Sequence, residues 1–295
     1  MNVLKIQTFK KADKERKVTF YAKEPTRCPV CDASFRREEL FSGRVNADEM
    51  TDELHRTYKP LLAFGEVNPL IYELEVCPSC FYAAFRQDFM PAGIKFASGL
   101  DERIDARIEA VQKIFSPLDY QSQRGALEGA ASYYLAVMCY ELFSKEFAPT
   151  IKCAISSVRA AWMCHDLHAR APNENWDYVA GLLYRKARFY YRHAIELEQT
   201  GKEPYSSQRN LGPDTDKNYG HEGVLYMAAI LELKYGPADD PALRRERLKM
   251  AKVSVARMFG FGKKNKAKPG PLLDKAHDLY ERLKAELQEG DDDDE

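Results

Sequence analysis

Residues 70–80 read LIYELEVCPSC, a strand-like run that leads directly into a pair of cysteines. Apolar and charged side chains alternate over residues 70–76 except at Ile71, and this period of two is typical of a half-buried β-strand. The form Cys-Pro-x-Cys occurs twice, at residues 28–31 and at residues 77–80, and a strand-like run also precedes the first pair. The sequence therefore predicts that each cysteine pair follows a β-strand.

The two pairs together predict one metal site built from four sulfur atoms. Two residues between the cysteines of a pair allow both thiolates to face one point, and the proline after the first cysteine stiffens the turn. Four thiolates around one ion form a closed tetrahedral site, which suits zinc and leaves no position for an activated water molecule. We therefore predict a structural zinc ion that is bound by Cys28, Cys31, Cys77 and Cys80.

Three other interpretations of these cysteines remain open. One iron ion fits the same cage, but iron sites of this spacing usually place glycine after the second cysteine, where Asp32 and Phe81 stand here. The pairs could instead be unrelated surface turns with free thiols, which would be prone to oxidation. A redox-active dithiol is the third alternative, and a bound metal would prevent it by saturating all four sulfur atoms.

A second metal site can be drawn on a later stretch of helical sequence. Cys153, Cys164 and His168 fall on one predicted helical face. Ser157 and Ala160 share that face, so the pattern favours a stripe of small residues that packs against a neighbour.

After about residue 100 the hydrophobic period changes from two residues to about 3.6, which predicts α-helices. Seven apolar stripes predict seven helices, and the third stripe includes Trp162 and His165, both expected in the core. Loops recur every ~40 residues, a spacing typical of stacked helix pairs. The stripes begin at Ile104, Leu127, Ile151, Ala180, Val224, Leu248 and Leu272.

These patterns predict a mainly α-helical protein. We expect a small zinc ribbon-like β module over residues 1–100 with a long insert between its cysteine pairs, and a β-hairpin near its start formed by residues 3–9 and 18–21. A tetratricopeptide-like helical array is expected over residues 101–289, and a disordered acidic tail over residues 290–295.

The charge balance bears on possible partners and on the compartment. The chain has 44 Lys and Arg against 45 Asp and Glu, so a net charge of −1 gives no footprint for duplex DNA or an anionic membrane. No window approaches the ~20 apolar residues of a membrane span, and the first ten residues contain no apolar run of the signal-peptide type. We therefore expect a cytoplasmic protein with no membrane partner.

No sequence motif in the chain points to catalysis. The sequence contains no Walker loop, no G-x-G-x-x-G, no G-x-S-x-G and no H-E-x-x-H, and no two carboxylates stand at an interpretable spacing. We therefore predict no enzymatic activity, no catalytic residue and no organic cofactor.

The leading functional hypothesis is a scaffold or adaptor that binds a protein or an extended peptide on its helical array. Stacked helices create an extended concave face, which we expect to carry exposed Tyr and Arg. The alternative is binding of RNA or single-stranded DNA, because basic and aromatic residues are interleaved over residues 184–193.

The sequence also resembles a bacterial family of proteins of unknown function, the domain-of-unknown-function family numbered 2225. The resemblance rests on residues 28–31 (CPVC), on residues 68–84 (NPLIYELEVCPSCFYAA) and on the Tyr- and Ala-rich segments 135–162 and 229–236. It covers about residues 20–260 and implies a cysteine-rich N-terminal module joined to tetratricopeptide-like helices. It implies no established activity, and the residues carried over are Cys28, Cys31, Cys77 and Cys80.

Overall fold

The structure, a computed structural model, describes residues 17–215, 219–260 and 270–292. Short antiparallel strands come first and helices follow, so the predicted mainly helical architecture is confirmed. The strands are β1 (Thr19–Tyr21), β2 (Thr26–Arg27), β3 (Ser34–Phe35), β4 (Glu38–Leu40), β5 (Ala47–Met50), β6 (Arg56–Tyr58), β7 (Leu74–Val76) and β8 (Ala83–Phe85).

The strands of the described residues form four antiparallel pairs. Strand β1 pairs with β4, and the β2–β3 hairpin lies between them in the chain. Strand β5 pairs with β6, and β7 pairs with β8 so that Leu74 faces Phe85 and Val76 faces Ala83. The hairpins β2–β3 and β7–β8 each enclose one cysteine pair, which places both pairs in tight turns.

The strand prediction for residues 70–76 is wrong in its first half. Pro69–Tyr72 forms a 3₁₀ turn, and only Leu74–Val76 is a strand. The side chain of Asn68 accepts a hydrogen bond from the Leu70 N–H (3.0 Å), and Pro69 fixes φ at the first position of the turn. This local cap explains why Ile71 breaks the alternation of the strand pattern.

The predicted hairpin of residues 3–9 and 18–21 is only partly described. Residues 3–9 lie outside the described part of the chain. The later run forms β1 as expected, and its hydrogen-bonded partner in the described structure is β4.

All seven predicted helices are confirmed, and two short helices precede them at residues where no helix is predicted. The first two are α1 (Arg86–Lys95) and α2 (Ala97–Asp101). The predicted seven are α3 (Ile104–Gln112), α4 (Ala126–Tyr140), α5 (Pro149–Arg170), α6 (Trp176–Gln199), α7 (Gly220–Tyr235), α8 (Pro241–Gly260) and α9 (Gly270–Asp292).

The helices from α4 onward pack in chain order, each against the next. The closest pair is α5 and α6, where small buried residues such as Ala154, Ala161, Ala180 and Ala187 allow the two backbones to approach. The tetratricopeptide-like character of this array stays a prediction. Helix α9 continues to Asp292 within the segment expected to be a tail, and residues 293–295 lie outside the described residues.

The insert between the cysteine pairs is tied to the helical array by buried polar contacts. Glu53, which is 5% exposed, accepts hydrogen bonds from the Trp162 indole N–H (2.7 Å) and the Tyr184 hydroxyl (3.1 Å). It also pairs with Lys234 (2.6 Å) and accepts from the Tyr235 hydroxyl (3.2 Å). Glu53 thus connects the β5–β6 hairpin to the three helices α5, α6 and α7.

The segment between α6 and α7 is partly packed against the helices over residues 201–215. Tyr205 and Leu211 are buried, and Glu203 accepts from the Thr150 N–H (2.7 Å) in the first turn of α5. Such a carboxylate satisfies one of the free N–H groups at a helix start. The segment therefore forms part of the wall around α5.

A buried aspartate in this segment makes stability depend on pH. Burial alone would raise the pKa of Asp214, but hydrogen bonds from His55 (2.6 Å) and the Arg56 N–H (2.8 Å) hold that pKa below its usual value. A lowered carboxyl pKa gives stability that is present above the unfolded-state pKa of about 3.9 and is lost as pH falls through the folded-state pKa.

We expect Asp214→Asn to lower the free energy of unfolding by about 1–3 kcal/mol at pH 7, and this deficit should shrink towards zero below about pH 4. Urea unfolding of both proteins between pH 3 and 7 measures the difference. Effects of acid on groups that do not contact Asp214 are common to both proteins and cancel. A deficit that stays constant across this range would show that the charge of Asp214 does not stabilise the fold.

Candidate metal centre

The two cysteine turns have the same backbone hydrogen bonds. In the first cysteine turn (residues 28–33), the Asp32 N–H donates to the Cys28 carbonyl (3.0 Å) and the Cys28 N–H donates to the Ala33 carbonyl (2.9 Å). In the second cysteine turn (residues 77–82), the corresponding bonds run from Phe81 to Cys77 (3.0 Å) and from Cys77 to Tyr82 (2.9 Å). Two short hairpins therefore present their cysteines in equivalent positions.

Each turn contains a residue with positive φ directly after its second cysteine. Asp32 has φ 62° and Phe81 has φ 56°, a region that glycine adopts most easily. The Phe81 ring is buried and packs edge-on against Tyr120, with ring centroids 5.4 Å apart. Because non-glycine residues adopt this conformation here, the missing glycines do not discriminate zinc from iron.

The four cysteine sulfur atoms lie at one point between the two turns. The Sγ atoms of Cys28, Cys31, Cys77 and Cys80 all lie within 4.8 Å of one another. Two of the distances are 3.7 Å (Cys28 to Cys80) and 3.6 Å (Cys31 to Cys77). A tetrahedral ion with bonds of about 2.3 Å to sulfur separates its ligands by about 3.8 Å. The cysteines form no disulfide, and the group has the composition and spacing to hold a metal ion.

The cluster is largely shielded from water, and its thiols are coupled by hydrogen bonds. Cys28, Cys77 and Cys80 are buried, while Cys31 is half-buried. Hydrogen bonds from Cys28 and Cys80 lower the pKa of the Cys77 thiol to about 4, and the pKa values of Cys28 and Cys80 are raised in turn. The four thiols thus share protons that a divalent ion would displace.

A buried arginine supports the second cysteine turn from the helical side. Arg107 on α3 is 2% exposed, and its Nε and Nη2 donate to the Cys80 carbonyl (3.1 and 2.7 Å). Its Nη1 donates to the Leu100 carbonyl (3.0 Å). The side chain therefore connects α3 to the metal cluster, and the sequence stripe that predicts α3 gives no signal of this role.

We expect Arg107→Met to weaken metal binding without removing it. The substitution keeps an unbranched apolar stem but removes the guanidinium and leaves the Cys80 carbonyl without its donors, and loss of such a supporting contact typically costs 10–100-fold in metal affinity. Competition with a chromogenic chelator measures the change, and Arg103→Met on the exposed side of the same segment is the control. Equal metal affinity in the two variants would show that Arg107 does not support the metal site.

The other cysteine and histidine positions do not come together. Among the residues that the structure describes, the four cysteines above are the only group of three or more potential metal ligands. Cys153 and Cys164 are buried in α5, and burial raises the pKa of Cys164 to about 12. The packing interpretation of this face therefore agrees with the structure, and His165 on the same helix is exposed rather than in the core as predicted.

The basic and aromatic residues of segment 184–193 are also separated by the fold. Tyr184 and Tyr191 are buried. Three of the basic side chains form ion pairs, namely Lys186 with Glu141 (3.4 Å), Arg188 with Glu232 (2.8 Å) and Arg192 with Glu196 (3.6 Å). The segment does not present a continuous row of free cations with stacked rings.

Comparison with known proteins places the chain in a family. The family model described as "Uncharacterized protein conserved in bacteria (DUF2225)" matches residues 21–283. The chain belongs to the DUF2225 family. It is also 37% identical over 276 residues to an uncharacterized protein of Borreliella burgdorferi, covering 92% of this chain and 99% of that protein. The resemblance inferred from the cysteine segments is therefore confirmed.

The solved structures and the apolar character of the helices give two further findings on this DUF2225 protein. No solved structure matches it. Among the helices of the described residues, none combines the length and apolar character that a bilayer crossing requires.

A cleft of about 520 Å³ lies where the N-terminal strands meet the helical array. This interface cleft is lined by β4, the 3₁₀ turn, the start of α1, helix α5 and residues 209–211. Lys152 and Arg159 line it from α5, although they are only 4% and 3% exposed. In the sequence these two basic residues stand seven positions apart in an otherwise apolar helix. This spacing is a signal of their position, but it matches no known motif.

Proposed function

We propose that this DUF2225 protein is a non-enzymatic protein-interaction protein whose N-terminal module is held together by one structural zinc ion. The interaction surface is the interface cleft. The observation that carries the proposal is that the walls of this cleft come from both parts of the chain, the cysteine-bearing strands and helix α5.

The arrangement of ligands favours a structural role for the metal. Four cysteine sulfurs lie close enough to hold one ion, and a structural zinc has all four positions of its tetrahedral site occupied by protein. With no open position the ion supplies no activated water, and its contribution is to the folding of the module. Zinc is proposed over iron because a closed site of four cysteines is a common form of structural zinc site.

The metal also bears on the shape of the cleft. The second cysteine turn connects β7 and β8, and Phe85 at the end of β8 lines the cleft together with Arg86. A metal that fixes this hairpin therefore fixes one wall of the interaction surface. The opposite wall is α5, which is held by its packing against α4 and α6.

The chemistry of the cleft supports binding rather than catalysis. Its described lining residues include no Cys, His, Ser or Thr, so it offers no ordinary nucleophile or imidazole base. The ammonium of Lys152 is paired with Asp88 (2.6 Å) and is not free to act as a base. The alternative function, binding of single-stranded nucleic acid, has weaker support because Lys186, Arg188 and Arg192 are paired with carboxylates.

Site-specific photocrosslinking in the native bacterium tests the interaction surface. A photoreactive phenylalanine analogue replaces Gln87, an exposed residue at the cleft, and in a matched strain it replaces Tyr178, which is 62% exposed on α6. We expect a recurring crosslinked protein from position 87 and none from position 178. Crosslinks that are equal at both positions, absent from both, or removed by nuclease would contradict the proposal.

A further inference from the structure

We propose that the interface cleft binds an acidic peptide segment of the partner, with one carboxylate of the peptide paired to Arg159. This inference rests on the proposed interaction function and names the chemistry of the partner at the same site. It is carried by the position and incomplete pairing of one buried guanidinium, by the charges around it and by the apolar groups beside it.

Arg159 is a buried cation without a carboxylate partner. Its Nε and Nη2 donate to the backbone carbonyls of Pro213 (2.7 Å) and Gly212 (3.3 Å), and its Nη1 donates to the Tyr133 hydroxyl (3.4 Å). These contacts use three of the five N–H groups of a guanidinium. Among the described residues, no Asp or Glu lies within ion-pair distance of it, although it is only 3% exposed, and the carboxylates of Glu73 and Asp214 act on it only from a longer distance.

A buried charge of this kind is costly unless it is paired. The guanidinium lies over the rings of Phe85 (5.6 Å) and Tyr133 (5.7 Å), which gives partial compensation through cation–π contacts. Because Arg159 also lines the cleft, a ligand carboxylate can reach its remaining N–H groups and complete the pairing.

The other charges around the cleft leave an excess of positive charge. Four cations line it, at positions 86, 152, 159 and 209, against the two carboxylates Glu39 and Glu73. Arg86 lies 3.6 Å from Glu39, and Lys152 is paired with Asp88 behind the lining. Arg209 is exposed at the rim. An anionic ligand is therefore attracted to the cleft, while the carboxylates disfavour a purely polyanionic one.

Apolar groups beside the cations favour a peptide over a simple inorganic anion. Leu40, Phe85, Ile155 and Leu211 line the same cleft, and its volume lies within the ~300–1,000 Å³ of small-ligand sites. A peptide that carries acidic and apolar residues matches this combination, because Lys152, Ile155 and Arg159 lie on one face of α5 and line the same cleft. The cleft thus selects for carboxylates that are spaced by apolar side chains.

Fluorescence anisotropy on the full-length holoprotein tests this proposal. The probes are three labelled decapeptides that alternate leucine or phenylalanine with glutamate, glutamine or lysine, together with inorganic phosphate and a labelled single-stranded oligonucleotide. We expect binding of the glutamate peptide that weakens with salt, and at least tenfold weaker binding of the other two peptides.

The variants are chosen so that loss of folding does not mimic loss of binding. We expect Arg159→Met to weaken the glutamate peptide about thirtyfold, as removal of a desolvated charge partner does. Because Arg159 also holds residues 212–213, the exposed rim variant Arg209→Glu serves as the second test, with an expected weakening of roughly fivefold. Arg185→Glu, exposed on α6 and outside the cleft, is the matched control and should bind as the wild type does.

The remaining outcomes separate this inference from the proposed function. Binding of the glutamine or lysine peptide instead of the glutamate peptide would overturn the acidic-peptide inference and leave a peptide-binding function in place. Binding of phosphate or the oligonucleotide alone, or an equal effect of Arg209→Glu and Arg185→Glu, would also overturn it. Failure of every peptide to bind would contradict both proposals.

Discussion

Replacing Cys77 by serine should abolish metal binding and unfold the N-terminal module. Cys77 is fully buried, its Sγ lies 3.6 Å from the Sγ of Cys31, and it belongs to the turn that connects β7 and β8. Serine is a poor ligand for a soft thiolate site, and three sulfurs cannot close the tetrahedron. The metal content of the purified protein should fall from one ion per chain to nearly none.

The effect on stability follows from the coupling of metal binding to folding. A structural zinc contributes about 10–16 kcal/mol of apparent binding free energy, which equals or exceeds the total stability of most domains, about 5–15 kcal/mol. Hydrogen exchange should therefore lose its protection over residues 26–35 and 74–85. The helices that pack in chain order from α4 onward should keep more of their protection.

Cys153→Ser is the matched control for this experiment. Cys153 is 2% exposed but lies in α5, outside the cluster, where its thiol faces the Val137 carbonyl (3.8 Å). The same change of sulfur to oxygen should leave one metal ion per chain. Equal metal content in Cys77→Ser and Cys153→Ser would contradict the four-cysteine site.

Replacing Glu53 by alanine should weaken the attachment of the β5–β6 hairpin to the helical array and lower the free energy of unfolding by about 3–5 kcal/mol. The carboxylate serves four donors on α5, α6 and α7, and its removal leaves the Trp162 indole and the Tyr184 hydroxyl buried without an acceptor. It also leaves Lys234 with only the weaker, more exposed pairing to Asp52. Breaking a buried pair on one side costs more than the pair itself contributes.

Thermal and urea unfolding measure this change, with a fall in Tm of roughly 10 °C expected. Glu66→Ala is the control, because Glu66 is exposed in the same insert. Metal content should stay at one ion per chain in both variants, which separates this effect from that of the cysteines. A change of less than about 1 kcal/mol in Glu53→Ala would show that the insert is held by apolar packing alone.

The cysteine cluster could be predicted from the sequence because two short motifs of the same Cys-Pro-x-Cys form each fix the geometry of a turn. The spacing within each pair is local, and the convergence of the pairs follows from ligand chemistry rather than from contacts that must be found. The helices could be predicted for a similar reason, since apolar side chains recur about every 3.6 residues along each segment. Neither inference required knowledge of which residues meet across long distances in the chain.

The parts that sequence reasoning missed depend on contacts between distant residues. Glu53 meets Trp162 across 109 positions, and no local pattern around Glu53 distinguishes it from a solvated carboxylate. Arg107 supports Cys80 in the same way, through a contact that the stripe of α3 does not encode. His165 follows the period of the α5 stripe but is exposed, and its ring contacts Tyr184 at a tilt, with centroids 5.4 Å apart.

Local chemistry also overrode one periodic pattern. Residues 70–76 alternate except at Ile71 and so resemble one strand, yet Asn68 and Pro69 cap a 3₁₀ turn over the first part. Proline fixes φ, and the asparagine side chain replaces a backbone acceptor. Neither effect requires a strand partner. The boundary between turn and strand could have been placed from this Asn-Pro pair, which is a stronger local signal than three alternating side chains.

The most direct test of the central claim is X-ray absorption spectroscopy on the protein purified from its native cell without added metal. We expect a zinc absorption edge, one ion per chain, and a first shell of four sulfur atoms at about 2.3 Å. An iron edge would contradict the assignment of the ion. A metal-free protein, or a first shell with nitrogen or oxygen in place of sulfur, would contradict the four-cysteine site itself.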